Sequence, residues 1–131
     1  MHEIIPNRAK NRIYFKMDGF LEDEEVRQVV NKMIEEIRLL QPGFDLINDL
    51  SSFKPVSPVG AKEIERMIHF SVERKIRYVI RVTGPNVLSR MQFDRINKMY
   101  GASNVTEYVS SREEAERRLD ELTVAAKKAK P

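Results

Sequence analysis

The sequence predicts an α/β sandwich: a mostly parallel central sheet of four to five strands carrying about four helices, in the order β(β)αβαβαβα. Three observations lead there. The apolar residues switch repeatedly between a period of two and a helical period along the chain. Strands that alternate with helices of a dozen or more residues need crossover connections, which are right-handed and make neighbouring strands parallel. With 131 residues, 41% hydrophobic and 33% charged, the chain is long enough for a real core and balanced like an ordered globular protein.

The elements follow in order. A short strand around Glu3-Ile4-Ile5, closed by a turn at Pro6-Asn7, is expected to pair with Arg12-Ile13-Tyr14-Phe15-Lys16-Met17, where Ile13, Phe15 and Met17 share a face. Asp18-Gly19 breaks that strand. From Leu21 to Leu40 the apolar stripe Val26, Val29, Val30, Met33, Ile34, Ile37 and Leu40 predicts a helix with an acidic first turn, ended by Pro42-Gly43. Phe44 to Leu50 has a nearly continuous apolar centre, as a strand buried on both faces does. A second helix spans Pro58 to about Lys75, with Ala61, Ile64, Met67, Ile68 and Val72 inward. Arg77 to Val82 is a β-branched strand. A third helix is expected over Val87 to Tyr100, with Leu88, Met91, Ile96 and Met99 on its apolar side. Val105 to Val109 is the last strand. Ser110 and Ser111 offer a capping box to Glu113 or Glu114, in either register, before a helix from Ala115 to about Lys127. Residues 1–124 are expected to form one domain, and 125–131 a short, basic, flexible tail.

Several function classes are excluded by composition. The absence of cysteine rules out disulfides and thiolate metal sites and suits a reducing cytoplasm. The start of the chain lacks the pattern of a signal peptide, and no apolar run approaches the length of a membrane span. The net charge of +3 is concentrated in the tail, which holds three lysines and no acid; without them twenty bases face 20 acids. A neutral body with interleaved charges argues against nucleic acid. His69 is spaced four residues from Glu65 and from Glu73, but two carboxylates and one imidazole on an exposed helix read as a salt-bridged surface rather than a metal site. No Gly-rich phosphate loop occurs, and no histidine lies near a serine, so no catalytic residue, metal or cofactor is assigned.

Two places remain. Asp45 and Asp49 share one face of the Phe44–Leu50 strand; they read as acids bonding loop amides, because Asp45 lies at the opposite end of the strand from Asp49. Ser57-Pro58 is an ordinary helix start, the hydroxyl capping a backbone N–H and proline losing nothing at the first position. The same geometry welcomes an anion, so a phosphate on Ser57 is the competing reading. Arg81, just before the turn Gly84-Pro85-Asn86, is a candidate contact for an anion at the carboxyl ends of the strands, with Arg90 and Arg95 nearby.

The order of elements, with Phe15-Lys16-Met17-Asp18-Gly19, "DLINDLSSF" and "GAKEIERM", resembles the STAS superfamily of bacterial anti-sigma-factor antagonists over roughly Glu3 to Leu122. Within it the chain resembles the divergent SpoIIAA-like single-domain branch that lacks the phosphorylatable serine. In that superfamily the central strand ends in Asp-Leu-Ser-like residues and the next helix opens on an Asp-Ser-Ser-Gly-like motif, whose second serine a partner kinase phosphorylates. Position by position, Asp49, Leu50 and Ser51 match the strand end and Gly60 matches the glycine; Ser57 falls on the aspartate, and Pro58 and Val59 fall on the two serines. A shifted alignment makes Ser57 the acceptor instead.

The resemblance implies a non-enzymatic, cytoplasmic regulatory or protein-interaction module without a serine phosphoswitch. Its binding surface is expected at Asp49, Ser51, Ser52, Phe53, Val56, Ser57 and Gly60, with Phe53 and Val56 exposed beside Lys54. The partner is expected to be a protein, a second copy of the chain included. The alternative is a small anionic ligand, a nucleotide or lipid head group, held by Ser57 and Arg81.

Overall fold

A computed structural model describes residues 1–83, 91, 92, 94, 95, 98 and 106–129. Five strands, β1 (His2–Asn7), β2 (Arg12–Met17), β3 (Asp45–Asp49), β4 (Val79–Val82) and β5 (Thr106–Val109), form one sheet in the order of the sequence. β1 is antiparallel to β2, and every later pair is parallel. Three helices are described along their length: α1 (Asp23–Leu39), α2 (Pro58–Glu73) and α3 (Arg112–Ala129). Of the helix expected over 87–100, residues 91, 92, 94, 95 and 98 are helical; its remaining positions, Leu88, Ile96 and Met99 among them, lie outside the described residues, as does Val105.

Alternation along the strands divides the apolar residues between two layers. Ile13, Phe15 and Met17 of β2, Leu46 of β3 and Val79 of β4 face α1 and α2 and form the larger core with Val26, Val29, Val30, Met33, Ile37, Ile64 and Met67. Tyr14, Ile47, Ile80 and Val82 face the other way, against Ala115 and Leu119 of α3. β3 lies between both layers, and all five of its residues are buried, as its nearly continuous apolar centre leads one to expect. The α3 layer is thinner and is supplemented by charge. Buried Arg12 pairs with Glu116 at 2.8 Å and Asp120 at 3.1 Å, and Arg118 meets Glu107 on β5 at 2.8 Å.

The element ends differ from expectation where tertiary contacts outweigh local signals. β1 runs through Pro6 to Asn7, because an edge strand tolerates a residue without an N–H. The turn therefore falls at Arg8–Asn11, with Asn11 in the left-handed region and the Asn11 N–H donating to Arg8 O at 3.2 Å. Gly43, at φ +84, reverses the chain after α1 and donates to Arg74 O. Of the two capping registers, Ser111 and Glu114 are used: Ser111 Oγ accepts from Glu114 N at 3.1 Å, and Glu114 accepts from Ser110 N at 3.0 Å. These bonds to Ser110 hold the Glu114 carboxyl below its ordinary value. α3 then continues to Ala129, so residues 125–129 of the expected tail are helical.

Candidate interaction surface at the carboxyl ends of the strands

The parallel strands β2, β3 and β4 end at Met17, Asp49 and Val82. The segments leaving β2 and β3 lead directly into the starts of α1 and α2, which brings Asp18–Glu22 and Leu50–Ser57 together at one end of the sheet. At the opposite end, Asp45 is buried and accepts from Arg77 Nε at 3.0 Å, Arg77 Nη2 at 2.6 Å and Tyr78 N at 3.2 Å. Asp49, four residues away along an extended strand, is about 13 Å distant. It accepts from Ser51 N at 3.1 Å, Ser51 Oγ at 2.7 Å and Tyr14 OH at 3.0 Å. The two acids are therefore separate loop anchors rather than a carboxylate pair. Burial, followed by the Asp49 carboxylate, raises the Tyr14 phenol well above its ordinary range, so Tyr14 remains a donor at any physiological pH. The Arg112 guanidinium lies 3.9 Å over the Tyr14 ring.

The loop after Asp49 folds back over Gly19. Gly19 N donates to Ser52 O at 2.7 Å and Lys54 N donates to Gly19 O at 3.1 Å, a strand-like bridge that places Ser52 outward and Phe53 inward. Phe53 is 0% exposed and Val56 is 8% exposed, and both belong to the larger core. This corrects the expectation that they stand on the surface. Two apolar residues in a polar loop are as consistent with loop packing as with an interface, and the bridge to Gly19 selects packing. The Val56 backbone is held from above by Gln92, whose amide accepts from Val56 N and donates to Val56 O, each at 3.3 Å.

Ser57 caps α2: its Oγ accepts from Gly60 N at 3.1 Å, with Pro58 at the first helical position. The same hydroxyl donates to the carboxylate of Asp23, the first residue of α1. The position that an anion would take at the start of α2 is thus occupied by the chain's own carboxylate. Gly60 is buried, and a Cβ there would sit 3.0 Å from Val56 Cβ.

Arg81 is 2% exposed. It stands opposite Asn48 and Tyr108 in the sheet register, on the α2 side, and pairs with Asp94 at 3.2 Å. Tyr108 OH donates to the same Asp94 carboxylate. Ser57 and Arg81 therefore each have an acid of their own, Asp23 and Asp94, and do not converge on a shared anion. Gly84-Pro85-Asn86 and Arg90 lie outside the described residues. His69 pairs with Glu73 at 3.0 Å on the exposed side of α2. Among the described residues, no group of three His, Asp or Glu side chains is placed to hold a metal ion, and no helix is long and apolar enough to cross a membrane.

The exposed apolar side chains at this end are different ones. Phe20 is 55%, Val59 49% and Met91 61% exposed. Met91 lines a shallow groove with Pro55, Gln92 and Arg95. Periodicity assigns Met91 to the inward side of its helix, and the structure turns it outward. Phe20 and Val59 carried a readable signal: Phe20 follows the Asp18-Gly19 break and lies off the stripe of α1, and Val59 lies off the stripe of α2.

No protein-family model matches the chain, and no curated protein sequence matches it significantly. Solved structures do match. An uncharacterized protein with a SpoIIAA-like fold from Shewanella loihica superposes with a TM-score of 0.67 at 12% identity, over 91% of this chain and 92% of that one. The anti-sigma factor antagonist SpoIIAA in its unphosphorylated form gives 0.63 at 15% identity, over 92% and 96%. An anti-sigma factor antagonist from Mycobacterium paratuberculosis gives 0.54 at 11% identity, over 92% and 95%. The fold is SpoIIAA-like, as the order of elements and the Asp49–Gly60 stretch anticipate.

Proposed function

We propose that the chain is a non-enzymatic protein-interaction module of SpoIIAA-like type that acts inside the cell by docking another protein on the surface formed by the starts of α1 and α2. The observation that carries this is the exposure of Phe20, Val59 and Met91 at one end of the sheet. Large apolar side chains gathered beside a polar rim mark contact surfaces. The nearby polar groups support a non-enzymatic role, because Asp49 and Ser57 are each spent on internal bonds. Anti-sigma factor antagonists among the solved structures of the same fold point to a regulatory use of that surface.

The surface is proposed to be constitutive rather than phosphorylation-switched. Val59 stands where the resemblance places the switch serine, and the Ser57 hydroxyl is engaged by Asp23 and Gly60. An anionic ligand at Ser57 and Arg81 gains no support from the geometry, since Asp23 and Asp94 already neutralise those positions. The test is quantitative affinity capture from the source cell with wild type and with Val59→Asp, each checked for folding by circular dichroism. The expected result is a partner recovered by wild type and lost with Val59→Asp. Equal recovery by both proteins overturns the assignment of this surface.

A further inference from the structure

The amino ends of the parallel strands carry a second surface. Each helix returns the chain to that end, so the β1–β2 turn, the ends of α1 and α2 and the last turns of α3 meet there. Hydrogen bonds join these segments into one rim. Asn11 Nδ2 donates to Gln41 O at 3.1 Å, and Asn11 Oδ1 accepts from Gln41 N at 2.8 Å. Arg74 Nη2 donates to Leu40 O at 2.7 Å, and Arg77 Nη2 to Thr123 Oγ1 at 3.0 Å. Lys10 and Arg12 reach Asp120 at 3.2 and 3.1 Å. The charge on this rim is one-sided. Its acids are engaged within the chain: Asp45 by Arg77, Glu116 and Asp120 by Arg12 and Lys10, and Glu73 by His69. Arg8, Arg38, Lys75, Lys127 and Lys128 remain exposed without an acid partner. Against them stands the exposed Glu35, one turn back along α1 from Leu39. Helix ends favour cations, which accounts for Arg38, Lys127 and Lys128. That preference does not account for Arg8, in a strand turn, or for Lys75, which follows α2 at φ +64. A lysine in the left-handed region takes a place that glycine fills without strain. Beside Arg38, the Leu39 side chain is 56% exposed.

We propose that this rim is a peripheral docking surface whose occupant is an anionic phospholipid bilayer, with the five unmatched bases at its headgroups and Leu39 entering the interface. A negatively charged leaflet attracts a basic cluster of this size, and an exposed leucine among the bases adds apolar contact. Nucleic acid fits the rim less well. Among its described residues no exposed aromatic side chain is placed to stack on a base, Tyr78 and Phe70 being half-buried. The other end of the sheet mixes signs, with Lys54 and Lys62 beside Asp18, Glu22, Asp23 and Glu24. A bilayer on the rim therefore leaves Phe20 and Val59 facing away from the lipid. The two surfaces are independent, and both can be occupied at once.

Cosedimentation of the full chain with two kinds of vesicle tests it, phosphatidylcholine alone and phosphatidylcholine with phosphatidylglycerol; circular dichroism checks the folding of each variant. Wild type is expected on the anionic vesicles only, and to be released as salt is raised. Arg8→Gln, Lys127→Gln and Lys128→Gln together are expected to lower the partition coefficient about a hundredfold, at about fivefold per base. Lys75→Gly is expected to lower it about fivefold. Its thermal midpoint should stay close to wild type, because relief of left-handed strain offsets the greater freedom of glycine in the unfolded chain. Val59→Asp, at the other end of the sheet, is expected to bind as wild type does. Absence of binding to anionic vesicles, equal binding to both kinds, or a triple variant that binds as wild type does overturns the proposal. So does Leu39→Ser or Lys75→Gly with undiminished binding, or a loss of binding with Val59→Asp. Displacement from the vesicles by soluble glycerol phosphate would reveal a headgroup pocket and overturn the surface contact, as would a wild type that binds duplex DNA and leaves the vesicles bare.

Discussion

Phe53 and Phe20 are the same residue type on touching segments, yet the structure gives them opposite duties. Phe53 is 0% exposed behind the bridge to Gly19, and Phe20, next to that bridge, is 55% exposed. Phe53→Ala removes a buried ring and leaves a cavity, which costs about 3–5 kcal/mol, a large share of the roughly 5–15 kcal/mol that holds a domain of this size. Phe20→Ala truncates a ring that still meets water, and its cost is about 0.5 kcal/mol or less. In urea, with a slope near ~2 kcal/mol per M, the Phe53→Ala midpoint falls by about 2 M and the Phe20→Ala midpoint by about 0.25 M at most. Far-UV circular dichroism reads both transitions, and an unchanged slope certifies that the loss is one of stability. Partner capture separates the pair in the other direction: Phe20→Ala is expected to lower it, whereas the conservative Phe53→Leu is expected to retain both fold and capture. A Phe53→Ala midpoint close to wild type would show that the loop does not bury its aromatic ring. A Phe20→Ala loss as large as that of Phe53→Ala would undo the distinction altogether.

Gly60→Ala tests the contact between α2 and the loop. Alanine improves helix propensity by about 1 kcal/mol, but its Cβ arrives 3.0 Å from Val56 Cβ, on a backbone that Gln92 holds at both polar groups. Overpacking of about 1–3 kcal/mol outweighs the gain, so thermal unfolding is expected at lower temperature; an unchanged or raised midpoint counts against the contact. Ser57→Ala should cost about 1 kcal/mol for the lost cap. Ser57→Asp restores the cap but sets a second carboxylate against Asp23, so it should be the less stable of the two at neutral pH and recover as the solution is acidified. If Ser57→Asp is instead the more stable at neutral pH, Asp23 does not occupy the start of α2. Glu63 is held below its ordinary value of 4.5, first by its bond from Arg66, and Asp120 below 3.8, first by its bond from Lys10. A depressed carboxylate contributes stability that is complete above its unfolded value and is lost as pH falls through its folded value. Thermal midpoints should therefore hold steady near neutrality and drop below about pH 4.5. Arg66→Ala should narrow its gap to wild type in that acidic window, and a gap equal at both ends of the range would refute the pairing.

The sequence by itself determined the architecture, because the fold rests on periodicities that are local. The stripe from Val26 to Ile37 can only bury one side of a helix. The nearly continuous apolar centre of β3 calls for cover on both faces, and Ser57-Pro58 is a local helix start. It also placed Asp49 to Gly60 between a central strand and its crossover helix, at the carboxyl end of the sheet. Only the tertiary structure decided which side chains of that region meet water. Phe53 and Val56 read as surface residues in a polar loop until the bridge to Gly19 and the Gln92 amide close the loop over them. Met91 fits an inward stripe, yet it faces out where its helix runs beside Pro55. Ser57 and Arg81 offer themselves to an anion until Asp23 and Asp94, 34 and 13 residues away, take up their bonds. The physical reason is one of range. Helix and strand patterns are written every two to four residues, whereas the pairing of a hydroxyl or guanidinium depends on which distant acid the packed layers bring within hydrogen-bond reach.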